Sequence, residues 1–276
     1  MKTIHQVHPE DFKHYTTQQI RDKFLLDGLV QKDIIQFVYT HYDRMMLGVA
    51  FPVNEKITLP TYDALKSDHF LDRREIGVLN IAGNGSITVD GEEFKLEKLD
   101  VLYIGKGIKE VVFSSDDTLN PAKFVVLSCP AHVNYPTRLM KPAEATPTEL
   151  GSADTANHRT INKYIHADGI QSCQLVMGVT HFKPGSLWNT MPAHTHDRRM
   201  EIYFYFNLPE SQRIIHFMGE PEETRHMFLN NEEGIVSPTW SIHSGTATAS
   251  YSFIWAMAGE NLSFTDMDFI DLKTLK

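Results

Sequence analysis

Three histidines and one glutamate, in two short segments, are the residues of this chain best suited to chemistry. The first segment contains His194, His196 and Glu201, and the second contains His243. Residues i and i+2 of a β-strand point to the same face, so His194 and His196 aim at one point if their stretch is extended. Three imidazoles and one carboxylate suit a divalent transition metal and leave room for a substrate oxygen. The spacing therefore predicts a metal centre.

A hairpin would bring the carboxylate to the two histidines. Residues 197–200 are polar and suited to a turn, and residues 201–206 alternate in the manner of a strand. A His-x-His pair alone is a weak signal, because a chain with 14 histidines can contain one by chance. Glu201 after the turn and His243 in a later strand-like segment make the metal interpretation much stronger than the chance one.

Size, composition and charge limit the class of protein. The chain has 276 residues, 42% hydrophobic and 22% charged, which is typical of a soluble globular protein with one large or two moderate domains. A net charge of -9 and a pI near 5.8 argue against a nucleic-acid or anionic-membrane partner. With two cysteines, no visible signal peptide and no membrane-spanning apolar stretch, we expect a cytoplasmic protein.

Short runs of β-branched and aromatic residues, separated by turn residues, recur along most of the chain. This pattern predicts a mainly β protein with sandwich or barrel domains and few short helices. Residues 141–158 are rich in Pro, Thr, Ala and Glu and poor in large apolar residues, which is typical of a linker. We therefore expect an N-terminal domain over residues 1–140 and a C-terminal domain with the metal site over residues 159–276.

The two halves contain similar segments, 71–76 and 196–202, built around Asp-Arg-Arg. An internal repeat of this kind indicates two copies of one supersecondary unit. The alignment pairs His69 with His194, Leu71 with His196, and Lys109 with His243. Because two of these positions carry no suitable ligand, we expect the first copy to be free of metal.

Several long motifs carry a family resemblance: Arg159–Tyr164, Leu187–Pro192, His194–Glu201, Glu223–His226 and Ser237–Gly245, with Arg73–Val78 and Tyr103–Gly107 in the first half. In these motifs, and over nearly its whole length, the chain resembles the 5-keto-4-deoxyuronate isomerase family of the cupin superfamily. The resemblance implies a two-cupin protein with one zinc ion per chain. The ligands that it implies are His194, His196, Glu201 and His243.

The resemblance also implies an activity and a setting. Members interconvert 4-deoxy-L-threo-5-hexosulose uronate and 3-deoxy-D-glycero-2,5-hexodiulosonate in the breakdown of pectin-derived uronates. The implied enzyme is an aldose–ketose isomerase that works in the cytoplasm as a homohexamer. Its partner would be a small acidic sugar, with neither nucleic acid nor membrane involved.

Such a reaction needs a group that removes the C2 proton and a Lewis acid that stabilises the charge developing on the substrate oxygens. Glu201 is a candidate base if it binds the metal through one oxygen or leaves it. The alternatives are a metal-bound hydroxide and the hydroxyls of Tyr203 or Tyr205, which share the Glu201 face of a regular strand.

The substrate carboxylate calls for a cation, and arginine offers bidentate recognition. The candidates are Lys163, Arg159, Arg198, Arg199 and Arg225. Lys163 is the first choice, because it lies in an alternating segment just before the metal strands.

Two other functions remain open at this point. An iron or manganese cupin oxygenase would use the same donor atoms. A non-catalytic sugar-binding cupin would need the pocket but no turnover.

Overall fold

The structure is a computed structural model that describes residues 1–276. It is built almost entirely of strands, with two short α-helices and three 3-10 turns, so the prediction of a mainly β protein with few short helices is confirmed. The helices are α1 (Pro9–Phe12) and α2 (Thr17–Phe24), and the 3-10 turns are Asp63–Leu65, Pro142–Glu144 and Leu272–Thr274. None of the helices has the length and apolar character needed to cross a membrane.

The strands of the first half are β1 (Lys2–Ile4), β2 (Leu25–Leu26), β3 (Ile35–Thr40), β4 (Met46–Ala50), β5 (Ile57–Thr58), β6 (Arg74–Asn80), β7 (Gly85–Val89), β8 (Glu92–Leu96), β9 (Val101–Ile104), β10 (Val111–Ser115), β11 (Phe124–Pro130) and β12 (Arg138–Met140). Those of the second half are β13 (Thr148–Leu150), β14 (Arg159–Ile165), β15 (Val176–Phe182), β16 (His194–Thr195), β17 (Arg199–Phe206), β18 (Ile214–Glu220), β19 (Glu223–Leu229), β20 (Gly234–Ser237), β21 (Ile242–Ala247), β22 (Ser252–Gly259) and β23 (Asp268–Phe269).

In the first half, a seven-stranded sheet in the order β1-β3-β4-β11-β6-β9-β12 faces a four-stranded sheet in the order β5-β10-β7-β8. Strand residues alternate between the two faces, so every second side chain points between the sheets. The space is filled by a cluster of 19 buried apolar residues that includes Phe37, Ile76, Phe113 and Phe124. The first sandwich therefore has a dry hydrophobic interior.

The second half repeats this plan. Its large sheet has the order β13-β14-β15-β22-β17-β20-β2, whose five central strands match β3-β4-β11-β6-β9 of the first sheet. A three-stranded sheet, β19-β18-β21, takes the place of the smaller first-half sheet, and β16 pairs with β23 beside it. The internal repeat predicted from the Asp-Arg-Arg segments is thus a repeat of topology.

Strand register corrects one pair of the sequence alignment. The hairpins β7–β8 and β18–β19 both turn on two residues, which gives a common reference. From that reference Phe113, opposite Ile87, occupies the position of His243, opposite Met218. The predicted pairing of Lys109 with His243 is wrong, because the loop 105–110 is longer than its counterpart 238–241 and leaves Lys109 exposed before β10.

The N-terminal segment joins the second half of the molecule. Helix α2 begins at a capping box of Thr16 and Gln19 and buries Ile20 and Phe24. Both helices pack on the small second-half sheet, and β2 adds to the large one beside β20. Strand β13 lies inside residues 141–158 and pairs with β14, which follows them. The division into domains 1–140 and 159–276 with a linker 141–158 stays a prediction.

A cluster of 51 buried apolar residues, drawn from both halves, fills the space between the two large sheets and continues into the second sandwich and beneath the N-terminal helices. Inside this interface the carboxylate of Glu75 is fully buried. It accepts hydrogen bonds from the Tyr103 hydroxyl and from the backbone N–H groups of Cys173, Gln174 and Leu175. These bonds satisfy the buried charge and tie the first half to the second.

Candidate metal centre

The four predicted ligands come together inside the second sandwich. His194 lies on β16, His196 follows it, Glu201 is on β17 and His243 is on β21. Their ligand atoms all lie within 4.8 Å of one another, and the group could hold a metal ion. The alternation of β17 explains the placement of Glu201, because Met200 and Ile202 point into the interface between the large sheets.

The distances among the donor atoms fit a single ion. The Nε2 atom of His243 is 2.9 Å from Nε2 of His194 and 3.0 Å from Oε2 of Glu201. Nε2 of His196 is 3.2 Å from that same oxygen. Metal–ligand bonds of about 2.0–2.1 Å in a tetrahedron separate the donor atoms by about 3.3 Å. The four donors are therefore spaced for coordination by one small divalent cation.

Backbone carbonyls orient two of the imidazoles. Nδ1 of His196 is 2.8 Å from the carbonyl oxygen of Arg199, and Nδ1 of His243 is 3.4 Å from that of Ser241. An Nδ1–H bonded in this way leaves Nε2 unprotonated and directed at the shared centre. The carbonyl of Arg199 is thus part of the support for the site.

The electrostatics keep His194 neutral and Glu201 ionised. Burial lowers the pKa of His194 to about 3, so this imidazole is neutral at pH 7. Burial alone would raise the pKa of Glu201, but His243 and His196 hold it well below its usual value. Burial is the largest single influence on the pKa of His196 and lowers it, but the hydrogen bond to Glu201 and the charge of Glu201 together raise that pKa above its usual value. A cation that binds the carboxylate therefore competes with a proton on His196.

A cavity of about 270 Å³ opens on this group. That volume lies near the lower end of the range for small-molecule sites, and it suits one small ligand rather than a polymer. Its polar lining consists of Arg159, Thr180, Thr190, His194, His196, Arg199, Glu201 and Tyr203. Its apolar lining consists of Leu150, Ile161, Met191, Pro192, Phe253, Trp255, Met257, Phe264, Met267 and Phe269.

The two candidate tyrosines occupy different layers. Tyr203 lines the cavity, and its hydroxyl is 2.8 Å from Oγ1 of Thr190. Burial, with the charge of Glu201, raises the pKa of Tyr203 well above its usual value, so the hydroxyl keeps its proton. Tyr205 lies outside the lining, and its hydroxyl is 2.8 Å from Nδ1 of the buried His216. Only Tyr203 is placed to contact a ligand directly.

The candidate cations differ in whether a carboxylate of the protein already neutralises them. Arg159 lines the cavity, and it has no carboxylate partner. Its guanidinium donates to the carbonyl of Asn157, and burial lowers its pKa. Arg199 also lines the cavity, but it pairs with Asp266 at 2.5 Å. Lys163 is outside the lining, with its ammonium 5.6 Å from the centre of the Phe264 ring.

The remaining two cations lie away from the cavity. Arg198 is exposed and pairs with Glu260 at 3.5 Å. Arg225, on β19, pairs with Glu223 at 2.8 Å and donates to the carbonyl of Lys13. Both arginines are held by surface contacts, and the structure does not bring them to the metal group.

Several residues of the site were not found from the sequence. Thr190 touches Tyr203, His216 lies beneath Tyr205, and Asp266 pairs with Arg199. Phe264 lines the cavity and belongs to a C-terminal segment without strand periodicity. Only His216 carried a signal, since it alternates with apolar residues along β18 in the pattern of an inward-facing position.

Several known proteins are similar to this chain over nearly its whole length. The 4-deoxy-L-threo-5-hexosulose-uronate ketol-isomerase of Formosa agariphila is 52% identical over 97% of this chain and 96% of its own length. The protein of the same name from Halalkalibacterium halodurans is 52% identical over the full length of both chains. The one from Lachnoclostridium phytofermentans is 53% identical over 97% of each chain.

Solved structures share the fold. An IolB-like protein from Salmonella typhimurium aligns with a TM-score of 0.73 at 18% identity, over 90% of this chain and 96% of its own. An oxalate decarboxylase from Bacillus subtilis aligns with a TM-score of 0.56 at 10% identity, over 79% and 70%. The predicted cupin-like fold is confirmed. The KduI/IolB family profile matches residues 30–272, and the chain therefore belongs to the KduI/IolB family.

Proposed function

We propose that this protein is a metal-assisted ketol-isomerase that converts 4-deoxy-L-threo-5-hexosulose uronate to 3-deoxy-D-glycero-2,5-hexodiulosonate. The observation that carries the proposal is the group of His194, His196, Glu201 and His243 at the base of a cavity sized for one sugar. Relatives that align over the full chain at about half identity carry the name of this activity.

The reaction is balanced within the substrate. The C2–H bond breaks and a C1–H bond forms, while the hydroxyl proton on O2 is exchanged for one on O1. The aldehyde carbon is reduced and the neighbouring carbinol carbon is oxidised, so no external oxidant or reductant takes part. The protein has to orient the two carbons, keep water away and stabilise negative charge on the two oxygens.

The proposed cofactor is one zinc ion per chain, held by His194, His196, Glu201 and His243. Three imidazole nitrogens and a carboxylate oxygen are ordinary zinc ligands. When bound there, a divalent metal supplies a Lewis acid for the substrate oxygens. Iron or manganese in an oxygenase is the competing assignment, because both accept the same donors.

Tyr203 is the residue that we propose to act on the reacting oxygens. Its protonated hydroxyl faces the cavity beside the metal ligands and is fixed by Thr190. A fixed donor in a buried site stabilises developing negative charge without reorganising. Tyr205 and His216 support Tyr203 from the layer beneath, where the rings of Tyr203 and His216 are 5.9 Å apart.

For the substrate carboxylate we propose Arg159. It is the cation of the cavity lining that no carboxylate neutralises, whereas Arg199 is already paired with Asp266. A guanidinium offers two parallel donors to a carboxylate. Lys163, preferred from the sequence, packs on Phe264, and the geometry favours Arg159 over it.

The test is a turnover assay on 4-deoxy-5-keto-uronate, with metal content and oxygen uptake measured on the same sample. The expected result is formation of the 2,5-diketo product, about one zinc per chain and no oxygen uptake. Oxygen consumption with bound iron or manganese would establish the oxygenase. Saturable sugar binding without turnover, at full metal content, would establish the sugar-binding protein.

The cellular setting rests on the family resemblance alone. We propose a cytoplasmic homohexamer that uses pectin-derived uronates. Light scattering of the purified protein tests the oligomer, with an expected mass of six times 31.5 kDa. A mass of one or two chains at micromolar concentration would contradict it.

A further inference from the structure

The C-terminal segment 261–270, which we call the strap, runs along the cavity and forms part of its wall. Three of its side chains, Phe264, Met267 and Phe269, line the cavity wall. Within the strap, Asp268 and Phe269 form β23 and pair with β16, so that Phe269 lies opposite the metal ligand His194. The strap thus contacts both the ligand-binding space and a strand of the metal centre.

One buried side chain fastens the strap. Arg199 is 1% exposed, and its guanidinium donates to the carbonyl oxygens of Ser263 and Phe264. It also pairs with the carboxylate of Asp266 at 2.5 Å. The other carboxylate oxygen of Asp266 accepts from Asn261 at 2.8 Å. Removing one partner of such a buried pair leaves an uncompensated charge, which opposes closure of the strap.

The apolar side of the strap is less firmly held. The ring of Phe264 packs on Trp255 at 5.0 Å between centres, and Lys163 lies over the same ring. Phe269 is 65% exposed. Polar contacts to Arg199 therefore carry much of the attachment at the middle of the strap.

We propose that the strap is the lid of the cavity and that Arg199 and Asp266 are positioning residues that hold it closed over a single sugar. The inference rests on the proposed function, because a closed lid matters where charge develops on substrate oxygens. A lid excludes water and strengthens the interactions with those oxygens. Arg199 connects the strap to the metal centre, since its carbonyl orients His196 and its guanidinium holds the strap.

The test uses Asp266→Ala and Asp266→Asn, because Asp266 lies on the outer side of the pair and away from the metal ligands. Chymotrypsin cleavage after Phe264, followed by mass spectrometry, reports opening of the strap without reference to activity. The matched control is Glu260→Gln, which removes the exposed Arg198–Glu260 pair between the same two chain segments.

In Asp266→Ala we expect cleavage after Phe264 to accelerate at least about tenfold and metal content to stay at the wild-type level. Turnover should show a higher KM and a lower kcat, with kcat/KM reduced about ten- to a hundredfold, the effect of losing one charged contact that holds the strap. Asp266→Asn keeps an accepting oxygen and should lie between Asp266→Ala and wild type. Glu260→Gln should match wild type in both measurements.

Unchanged cleavage in Asp266→Ala would overturn the role of the ion pair as the fastening. Faster cleavage with unchanged kcat and KM would overturn the role of the strap as a lid. Loss of metal in Asp266→Ala would also overturn it, because the strap would then serve to retain the metal. If the wild-type protein with full metal content turned over no uronate, the proposed function would fail. The cleavage comparison would still decide whether Arg199 and Asp266 hold the strap.

Discussion

The two sandwiches have the same strand order and use their interiors in opposite ways. At the positions equivalent to His196, Glu201 and His243, the first half carries Leu71, Ile76 and Phe113, all buried in its apolar cluster. The position of His194 is taken by His69, whose partly exposed side chain lies 3.4 Å from Asp72. The same scaffold thus holds a hydrophobic core in one half and a polar cavity in the other.

The difference shows how a protein can carry a costly site. Burying imidazoles and a carboxylate gives up apolar packing inside the second sandwich. The outer face of its large sheet packs on the first half, and the residues there belong to an apolar cluster that spans both halves. The first half therefore serves as a support for the second, and substitutions in the two interiors should have different effects.

The largest expected effect comes from the metal ligands. His243→Ala should lose at least about a hundredfold in metal affinity, since loss of even an outer partner of a ligand costs ten- to a hundredfold. Activity should fall with it. Elemental analysis and turnover of the same sample measure both. The matched change in the first half, His69→Ala, should leave metal stoichiometry as it is. Full occupancy in His243→Ala would refute the ligand assignment.

The next prediction concerns a first-half variant that should lower stability and leave activity unchanged. Phe113→Ala empties a fully buried position of the first-half core and should lower the free energy of unfolding by about 3–5 kcal/mol. Metal content and kcat should stay near wild type at a temperature where the variant is folded. Urea unfolding and turnover provide the two measurements.

The counterpart in the second half is Tyr203→Phe. It removes one hydroxyl, hydrogen-bonded to Thr190, and should change the free energy of unfolding by only about 0.5–1.5 kcal/mol while lowering kcat. Loss of metal in Phe113→Ala, or a full kcat in Tyr203→Phe, would contradict the assignment of stability to the first half and of activity to the second.

A smaller effect distinguishes the cations of the second half. Arg159→Met should raise KM and lower kcat/KM by about one to two decades, the equivalent of about 1.5–3 kcal/mol. Lys163→Met should have a clearly weaker effect, because the ammonium of Lys163 lies on Phe264. Steady-state kinetics with equal metal content compare the two. A greater loss of kcat/KM in Lys163→Met than in Arg159→Met would assign binding of the substrate carboxylate to Lys163, the first choice from the sequence.

Much of the metal site was predictable because it depends on local periodicity. The spacing of His194 and His196, and the strand that begins near Glu201, follow from strand alternation alone. The contribution of His243 needed the longer motif, since β21 lies far along the chain. The equivalent first-half position was misassigned to Lys109, because loop length is not fixed by alternation.

Contacts made by side chains across elements were not predictable. Lys163 shares the parity of Arg159 and Ile161, but the strand bulges after it and its ammonium packs on Phe264. Phe264 and Asp266 belong to a segment without regular periodicity, so nothing in the sequence indicated that it lines the cavity. The role of Arg199 was hidden for the same reason, because its partner Asp266 lies in that segment.

The smallest expected effect concerns acid stability of the second half, through His181 on β15. Burial, with the nearby positive charges of Lys98 and Lys183, lowers its pKa to about 4. Its Nδ1 is 2.9 Å from the hydroxyl of Ser252, and its Nε2 is buried without a partner. The folded state therefore favours neutral His181, whereas the unfolded chain binds a proton below about pH 6.5.

The sign follows from proton linkage. Between about pH 6.5 and 4 the unfolded state binds the extra proton at His181, so stability falls as pH falls through this window, and below it the contribution is constant. From pH 7 to pH 5 the loss from this one group is at most about 2 kcal/mol. His181→Gln should reduce the acid loss by that amount, whereas Ser252→Ala, which keeps the imidazole, should not. Urea unfolding at both pH values, with a chelator present throughout so that metal release does not contribute, measures the difference. An identical pH dependence in His181→Gln and wild type would show that His181 takes up its proton without opposing the fold.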